Sequence, residues 1–354
     1  MPCVAHLPRR VRGDIGQSAL QNQTRKDLRA RHFRHAKLKF AVHGWSDNPS
    51  AIRRAVYTPS GFRNSSRRNE HGMTAGRHVQ SHQNQSDEER MQFKHCRLEF
   101  DGPVATLMFD HQEVMNAFSP DMYGGLTEAL DAIEDKRDDV RCVVLTGAGK
   151  AFCTGANLQG RNDDKSPGRK TAGSTLETVF HPFLRRLRNL HCPLVTSVNG
   201  PAAGAGMSFA LMGDIIVCAR SSYFLQAFRR IGLVPDCGST WILPRLIGKA
   251  RAVELSLLGE RLPAEKALEW GLINRVVDDA ALAEETKKLA HDLANGPTVA
   301  LSLIRQLYWE SEHNSFEDQL DLEMRSQLKA GKSEDFKEGV GAFLAKRPAQ
   351  FKGR

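Results

Sequence analysis

The chain has 354 residues, with 50 lysines and arginines against 41 aspartates and glutamates, a formal charge of +9. Such an excess ordinarily points to nucleic acid or an anionic membrane, but here it is confined to one end. Residues 1–90 hold 17 basic and 7 acidic side chains, leaving 33 basic and 34 acidic for the rest, so the part able to bury a core has no basic partner-binding character. Seven cysteines are scattered singly with no C-x-x-C pair, which suits free thiols in a reducing compartment. No apolar run is long enough to cross a bilayer, because Asn199, Pro201 and Asp214 interrupt the most hydrophobic region. A membrane partner is therefore not expected.

Residues 1–90 are rich in Arg, His, Ser, Gln and Asn and lack a sustained period, so a disordered basic extension is expected. Three readings of it stand: a translated upstream region of a misassigned start, with Met91 as the natural beginning; an organelle-targeting segment; or a basic arm for RNA. His78 and His82 are four apart, but no further ligands lie near them, and no metal is expected. From Phe93 the chain alternates as a hairpin, with strands at 96–100 and 104–109 about a turn at Asp101-Gly102-Pro103. Ser119-Pro120 then supplies an N-cap and a first-turn proline for a helix over 122–133.

Val140 to Thr146 reads as a buried strand feeding a loop of small residues, Gly147 to Leu158. Residues 159–175 read as a polar surface loop, followed by a helix over 176–190. The short β-branched runs 194–198 and 215–219 are expected strands, separated by a turn with almost no side chain, Pro201 to Gly206. Helices over 246–259 and 264–271, a strand over 272–277 and four helices between 280 and 345 complete the reading. Alternating strands and helices make the class α/β with a helical C-terminal extension. The expected division is 1–90, a core over 91–280, and a helical region over 281–354.

Several motifs fail on their own spacing. Gly204-x-Gly206 lacks the third glycine of a dinucleotide fingerprint, because position 209 is Phe. Gly149-Lys150 and Gly248-Lys249 are each followed by Ala where a phosphate loop needs Ser or Thr, so neither supports ATP. Ser208 lacks the closing glycine of a nucleophile elbow, and Cys237 has no histidine close in sequence to activate it. What remains is a pair of small-residue loops able to aim two backbone N–H groups at one carbonyl oxygen. Beside them stands a carboxylate, Asp236, among Ile231, Leu233, Val234 and Trp241. The alternative for Asp236 is a cap on the helix that follows it.

Ala151-Phe-Cys-Thr-Gly-Ala-Asn-Leu158, Asn199-Gly-Pro-Ala-Ala-Gly-Ala-Gly-Met207 and Gly232-Leu-Val-Pro-Asp-Cys-Gly-Ser-Thr-Trp241 together resemble the crotonase, or enoyl-CoA hydratase/isomerase, superfamily over about residues 91–354. The resemblance implies a spiral of repeated β-β-α units with a helical C-terminal trimerisation region. It further implies a homotrimer or hexamer and an acyl-CoA thioester substrate, with coenzyme A part of that substrate and no separate cofactor. By motif position the oxyanion donors would be the N–H groups of Ala156 and Ala205. Gly155, Asn157, Leu158, Gly204 and Gly206 would lie against the substrate, and Phe343 and Lys346 of the run Gly341 to Arg347 would reach CoA on a neighbouring subunit.

The departures from the family pattern are informative. Ser208 and Phe228 stand where hydratases carry two glutamates, Ser239 replaces a glycine common in its run, and Asp236 stands where the isomerase branches place a catalytic aspartate. The runs 224–236, 258–261, 269–273 and 351–354 extend the likeness to ring-epoxide isomerases. The expected function is thus an isomerase that shifts a double bond, or isomerises a ring epoxide, through a thioester enolate. The alternatives are an enoyl-CoA hydratase of fatty-acid β-oxidation, an aryl-CoA dehalogenase with Asp236 as nucleophile and His181 as the nearest base, and an RNA-binding protein using the basic arm. The expected compartment is the bacterial cytoplasm, with organelle targeting by residues 1–90 as the alternative.

Overall fold

The computed structural model describes residues 89–158 and 172–354. The expectations for residues 1–88, including the basic arm and the His78/His82 pair, and for 159–171 of the expected loop over 159–175 lie outside the described residues; the last four residues of that expected loop, Ala172–Thr175, are instead a helical turn that runs into the next element. The chain begins with a meander, β1 (Glu89–Phe93), β2 (Cys96–Asp101) and β3 (Val104–Phe109), paired antiparallel. The first strand therefore starts two residues before the expected boundary at Met91. Side chains of β2 alternate between buried and half-buried, as a sheet with one covered face requires.

Helix α1 (Pro120–Asp135) starts as its sequence signal demands: the Ser119 hydroxyl accepts from the Met122 N–H at 3.2 Å, and proline occupies the first turn. It carries the chain across to β4 (Cys142–Gly147), parallel to β3. A π-helical turn, Leu176–Phe180, runs into α2 (His181–Arg188), which leads to β5 (Leu194–Val198). After a two-residue strand β6 (Ala202–Ala203) comes the short helix α3 (Ala205–Ala210), and then β7 (Ile215–Ala219). The large sheet has the order β1-β2-β3-β4-β5-β7-β10 and is parallel from β3 onward.

Strand β10 (Arg275–Val277) is shorter than expected because Asn274 takes over the ladder with its side chain, whose Oδ1 accepts from the Ile216 N–H at 2.8 Å. A second sheet was not expected. It joins β6, β8 (Tyr223–Leu225) and β9 (Arg261–Pro263), with β6 and β8 parallel. Helix α4 (Ser239–Leu258) begins earlier than the expected helix over 246–259. It is broken at Gly248, whose φ of 76° and ψ of 156° are not helical. The rest is α5 (Ala264–Glu269), α6 (Leu282–Ala294), α7 (Thr298–Ser311), α8 (Phe316–Ala330) and α9 (Glu334–Leu344).

The core is aromatic where the parallel strands end. Phe109, Phe152 and Phe209 are fully enclosed, and Phe109 meets Phe118 and Phe152 edge-on at centroid distances of 5.4 and 5.3 Å. At the opposite end of the sheet Arg305 of α7 pairs with Asp214, and its remaining N–H groups donate to the carbonyls of Leu187, Arg188 and Leu190. The Asp214 carboxylate in turn accepts from the Leu194 N–H at 2.7 Å, so the pair of a buried Arg305 and a half-buried Asp214 fixes where β5 begins. Among the described residues no helix is long and apolar enough to cross a membrane, and no cluster of His, Cys, Asp and Glu could hold a metal ion.

Candidate active site

Two loops leave the ends of neighbouring parallel strands: residues 148–158 after β4, and 199–204 after β5. They are locked to each other through backbone. The Cys153 N–H donates to the Pro201 carbonyl at 3.2 Å, and the Ala203 N–H donates to the Cys153 carbonyl at 2.9 Å. Such close approach explains the run of small residues. A Cβ on Gly200 would sit 2.2 Å from the Lys150 carbonyl oxygen, and one on Gly206 would sit 2.1 Å from that of Cys153. Gly155 and Gly204 have φ of +93° and +55°, which glycine adopts without strain.

Asn116 organises the first loop. Fully buried, it donates from Nδ2 to the carbonyls of Ala148 and Ala151 at 2.9 and 2.8 Å, while its Oδ1 accepts from the His111 N–H. Asn199 reaches the same loop from the second, donating to the Gly149 carbonyl at 3.0 Å. Phe118 forms a parallel bridge beside Ala156, with the Phe118 N–H donating to the Gly155 carbonyl at 2.7 Å and the Asn157 N–H to the Phe118 carbonyl at 2.8 Å. That pattern turns the N–H of Ala156 away from Phe118. Ala205 opens α3, where N–H groups have no partner within the helix.

These features meet in a cavity of about 250 Å³. Its lining includes Gly155, Ala156, Leu158, Gly204, Ala205 and Asp236. Of the sequence-selected residues, Asn157, Gly206, Phe343 and Lys346 lie outside that lining. Asn157 supports the bridge to Phe118, Gly206 packs on Cys153, and Phe343 is 82% exposed on α9. Ile231 and Leu233 do line the cavity with Asp236, whereas Val234 is 78% exposed and Trp241 is turned away, stacked on Trp309 at 5.5 Å. The cavity also draws on Leu176, Phe180 and Arg230, which carry no chemical signal in the sequence; the Arg230 guanidinium is fixed by donation to the Gly259 carbonyl at 2.8 Å.

Asp236 is the one carboxylate in this lining, among the described residues. The N-cap position of α4 is Gly238, two residues beyond Asp236. Phe228 forms part of the wall, and Ser208 is fully buried, so both positions where hydratases carry glutamates are uncharged. Burial, with the adjoining Asp236 carboxylate, pushes the Cys237 thiol far above its ordinary range, leaving it protonated and inert as a nucleophile. Burial likewise raises Cys153 to about 12. His181 is not in the lining, so among the described residues no histidine stands ready to hydrolyse an ester formed on Asp236.

Parallel strands ending in two interlocked glycine-rich loops, with Ala156, Ala205 and one acid lining a common cavity, are the arrangement of a crotonase-fold enzyme. The sequence pattern of the enoyl-CoA hydratase/isomerase family matches residues 99–354, and the chain belongs to that family. It is 48% identical over 251 residues to the 1,2-epoxyphenylacetyl-CoA isomerase of Escherichia coli K12, covering 71% of this chain and 95% of that protein. It is 31% identical over 264 residues to the trans-2-decenoyl-[acyl-carrier-protein] isomerase of Streptococcus mutans, covering 75% of this chain and all of that protein. A solved enoyl-CoA hydratase from Polaromonas sp. JS666 superposes with a TM-score of 0.67 at 32% identity, over 72% of this chain and 99% of that one.

Proposed function

We propose that the protein isomerises an acyl-CoA thioester through an enolate, moving a double bond or opening a ring epoxide without change of mass. The observation that carries this reading is a cavity holding two candidate backbone donors and a single carboxylate. With a 3-enoyl-CoA, the Asp236 carboxylate takes a proton from the carbon next to the thioester. The electron pair passes to the thioester oxygen, held by the N–H groups of Ala156 and Ala205. Asp236 then returns the proton two carbons away, and the double bond reforms beside the thioester. Stabilising the enolate oxygen is the larger contribution, worth about 3 kcal/mol per donor, and the positioned base adds about 10²- to 10⁴-fold.

The likeness to an epoxyphenylacetyl-CoA isomerase supports the ring epoxide as the natural acyl group, and phenylacetate catabolism as the setting. Addition of water usually needs a second carboxylate to hold it, and Phe228 and Ser208 supply none. For the assembly we propose a homotrimer or a hexamer, in which Phe343 and Lys346 complete the CoA site of a neighbour. The exposed Phe316, Phe336, Phe343 and Leu344 of α8 and α9 support a covered face there. For the compartment we propose the cytoplasm, on the support of the buried free thiols.

The deciding experiment gives the protein 3-enoyl-CoA and 2-enoyl-CoA separately and identifies products by mass and ultraviolet absorbance. Mass-neutral migration that disappears in Asp236→Asn is expected. Hydration of the 2-enoyl substrate that survives the substitution would overturn the assignment.

A further inference from the structure

Three donors converge on one backbone carbonyl beside the candidate proton shuttle. The Asp236 C=O accepts from the Ser208 hydroxyl at 3.0 Å, from the Ser239 hydroxyl at 2.9 Å and from the Ser239 N–H at 3.1 Å. Both serines are completely enclosed. The bend they hold needs holding: Cys237 has a φ of +53°, a left-handed conformation costly for a residue with a Cβ, and Gly238 follows at +84°. Conformations of this kind persist where their surroundings over-determine them. Ser208 also lies on α3, the helix that begins at Ala205. Its hydrogen bond thus runs from the element presenting one oxyanion donor to the residue carrying the carboxylate.

We infer that Ser208 and Ser239 are positioning residues: they clamp the Asp236 carbonyl and thereby set the carboxylate in register with the Ala205 N–H. The inference rests on Asp236 being the proton shuttle. It gives a purpose to two departures from the family pattern at once, since one serine replaces a glutamate and the other a glycine. It also follows the general sensitivity of proton transfer to geometry, where about 1 Å of misplacement costs on the order of 10²-fold.

The test uses the full-length chain with a short 3-enoyl-CoA, recording kcat and KM separately together with the melting temperature. The variants are Ser208→Ala, Ser239→Ala, Ser239→Thr, the double alanine variant and Asp236→Asn. Each single alanine variant leaves the carbonyl two of its three donors and the double variant leaves only the N–H of residue 239, so both single variants are expected to fold even if the double variant does not. The expected result is a fall in kcat of about tenfold for each, with KM within about twofold of wild type, and recovery to within about threefold in Ser239→Thr, which keeps the hydroxyl. Wild-type kcat in the alanine variants, with Asp236→Asn inactive, would overturn the clamp and leave the shuttle standing. Lower melting temperature with unchanged kcat would reduce the serines to packing and also overturn it. An active Asp236→Asn variant would remove the shuttle itself, and the clamp with it.

Discussion

Replacing Gly206 by alanine tests whether the interlock between the two loops sets catalytic geometry. The added Cβ would lie 2.1 Å from the Cys153 carbonyl oxygen and 2.7 Å from its carbon, where contacts under 3.0 Å are essentially never adopted. The obstacle is backbone, so no side chain can swing aside, and the loops have to part by roughly 1 Å. The same oxygen accepts the Ala203 N–H, and Ala156 follows three residues later, so the separation carries one proposed oxyanion donor away from the other. A displacement of that size should lower kcat by about 10²-fold, and the forced packing should cost about 1–3 kcal/mol of stability. Gly124 is the control: it is exposed on α1 with nothing within 4 Å, so alanine there should add up to about 1 kcal/mol and leave kcat unchanged. Isomerisation of a 3-enoyl-CoA followed by absorbance, with thermal melts of both variants, reads the two effects. A Gly206→Ala protein with kcat within twofold of wild type would refute the reasoning.

Cys237→Ala should keep kcat within about threefold, because a thiol held protonated contributes no nucleophile; loss of turnover with binding intact would reinstate it. His191 is half-buried with Nε2 on the Val140 carbonyl at 2.8 Å, and burial lowers its pKa from 6.5. The unfolded chain takes up that proton first on acidification, so this contribution to stability is present above about pH 6.5 and is lost as pH falls below it. The melting temperature should therefore drop between about pH 7 and 5, and His191→Gln should flatten that slope. Sedimentation of the native chain should give a trimer or hexamer, and Phe343→Asp with Leu344→Asp should shift it toward smaller species and raise KM for the CoA substrate. A monomer with full activity would count against the proposed assembly.

Much of this architecture is legible in the residues, and the exceptions have physical causes. Strands β5 and β7 match their expected bounds because each is a short run rich in β-branched residues, buried along most of its length and entered through a strand-breaking residue, Pro193 before β5 and Asp214 before β7. The second sheet left no periodic signal, since β6 is two alanines and β8 and β9 have three residues each. The family resemblance brought Ala156 and Ala205 to notice, and apolar neighbours in the sequence singled out Asp236; all three line one cavity. Sequence proximity misplaced Trp241, because the bend at Cys237 and Gly238 turns the following helix away from the cavity. Asn116 was missed for a different reason: a lone amide in a short connection carries no pattern, and only the fold shows it holding a loop more than thirty residues distant.

The brevity of that second sheet has a consequence for how the enzyme acquires activity. Its pairs, with the isolated bridges Phe118–Ala156 and Cys153–Ala202, join segments far apart in the chain, yet none is long enough to form before the parallel sheet has brought them together. During refolding, helical signal should return early, whereas turnover should return only with the slowest cooperative phase. Recovered activity would then serve as a clock for the last contacts made.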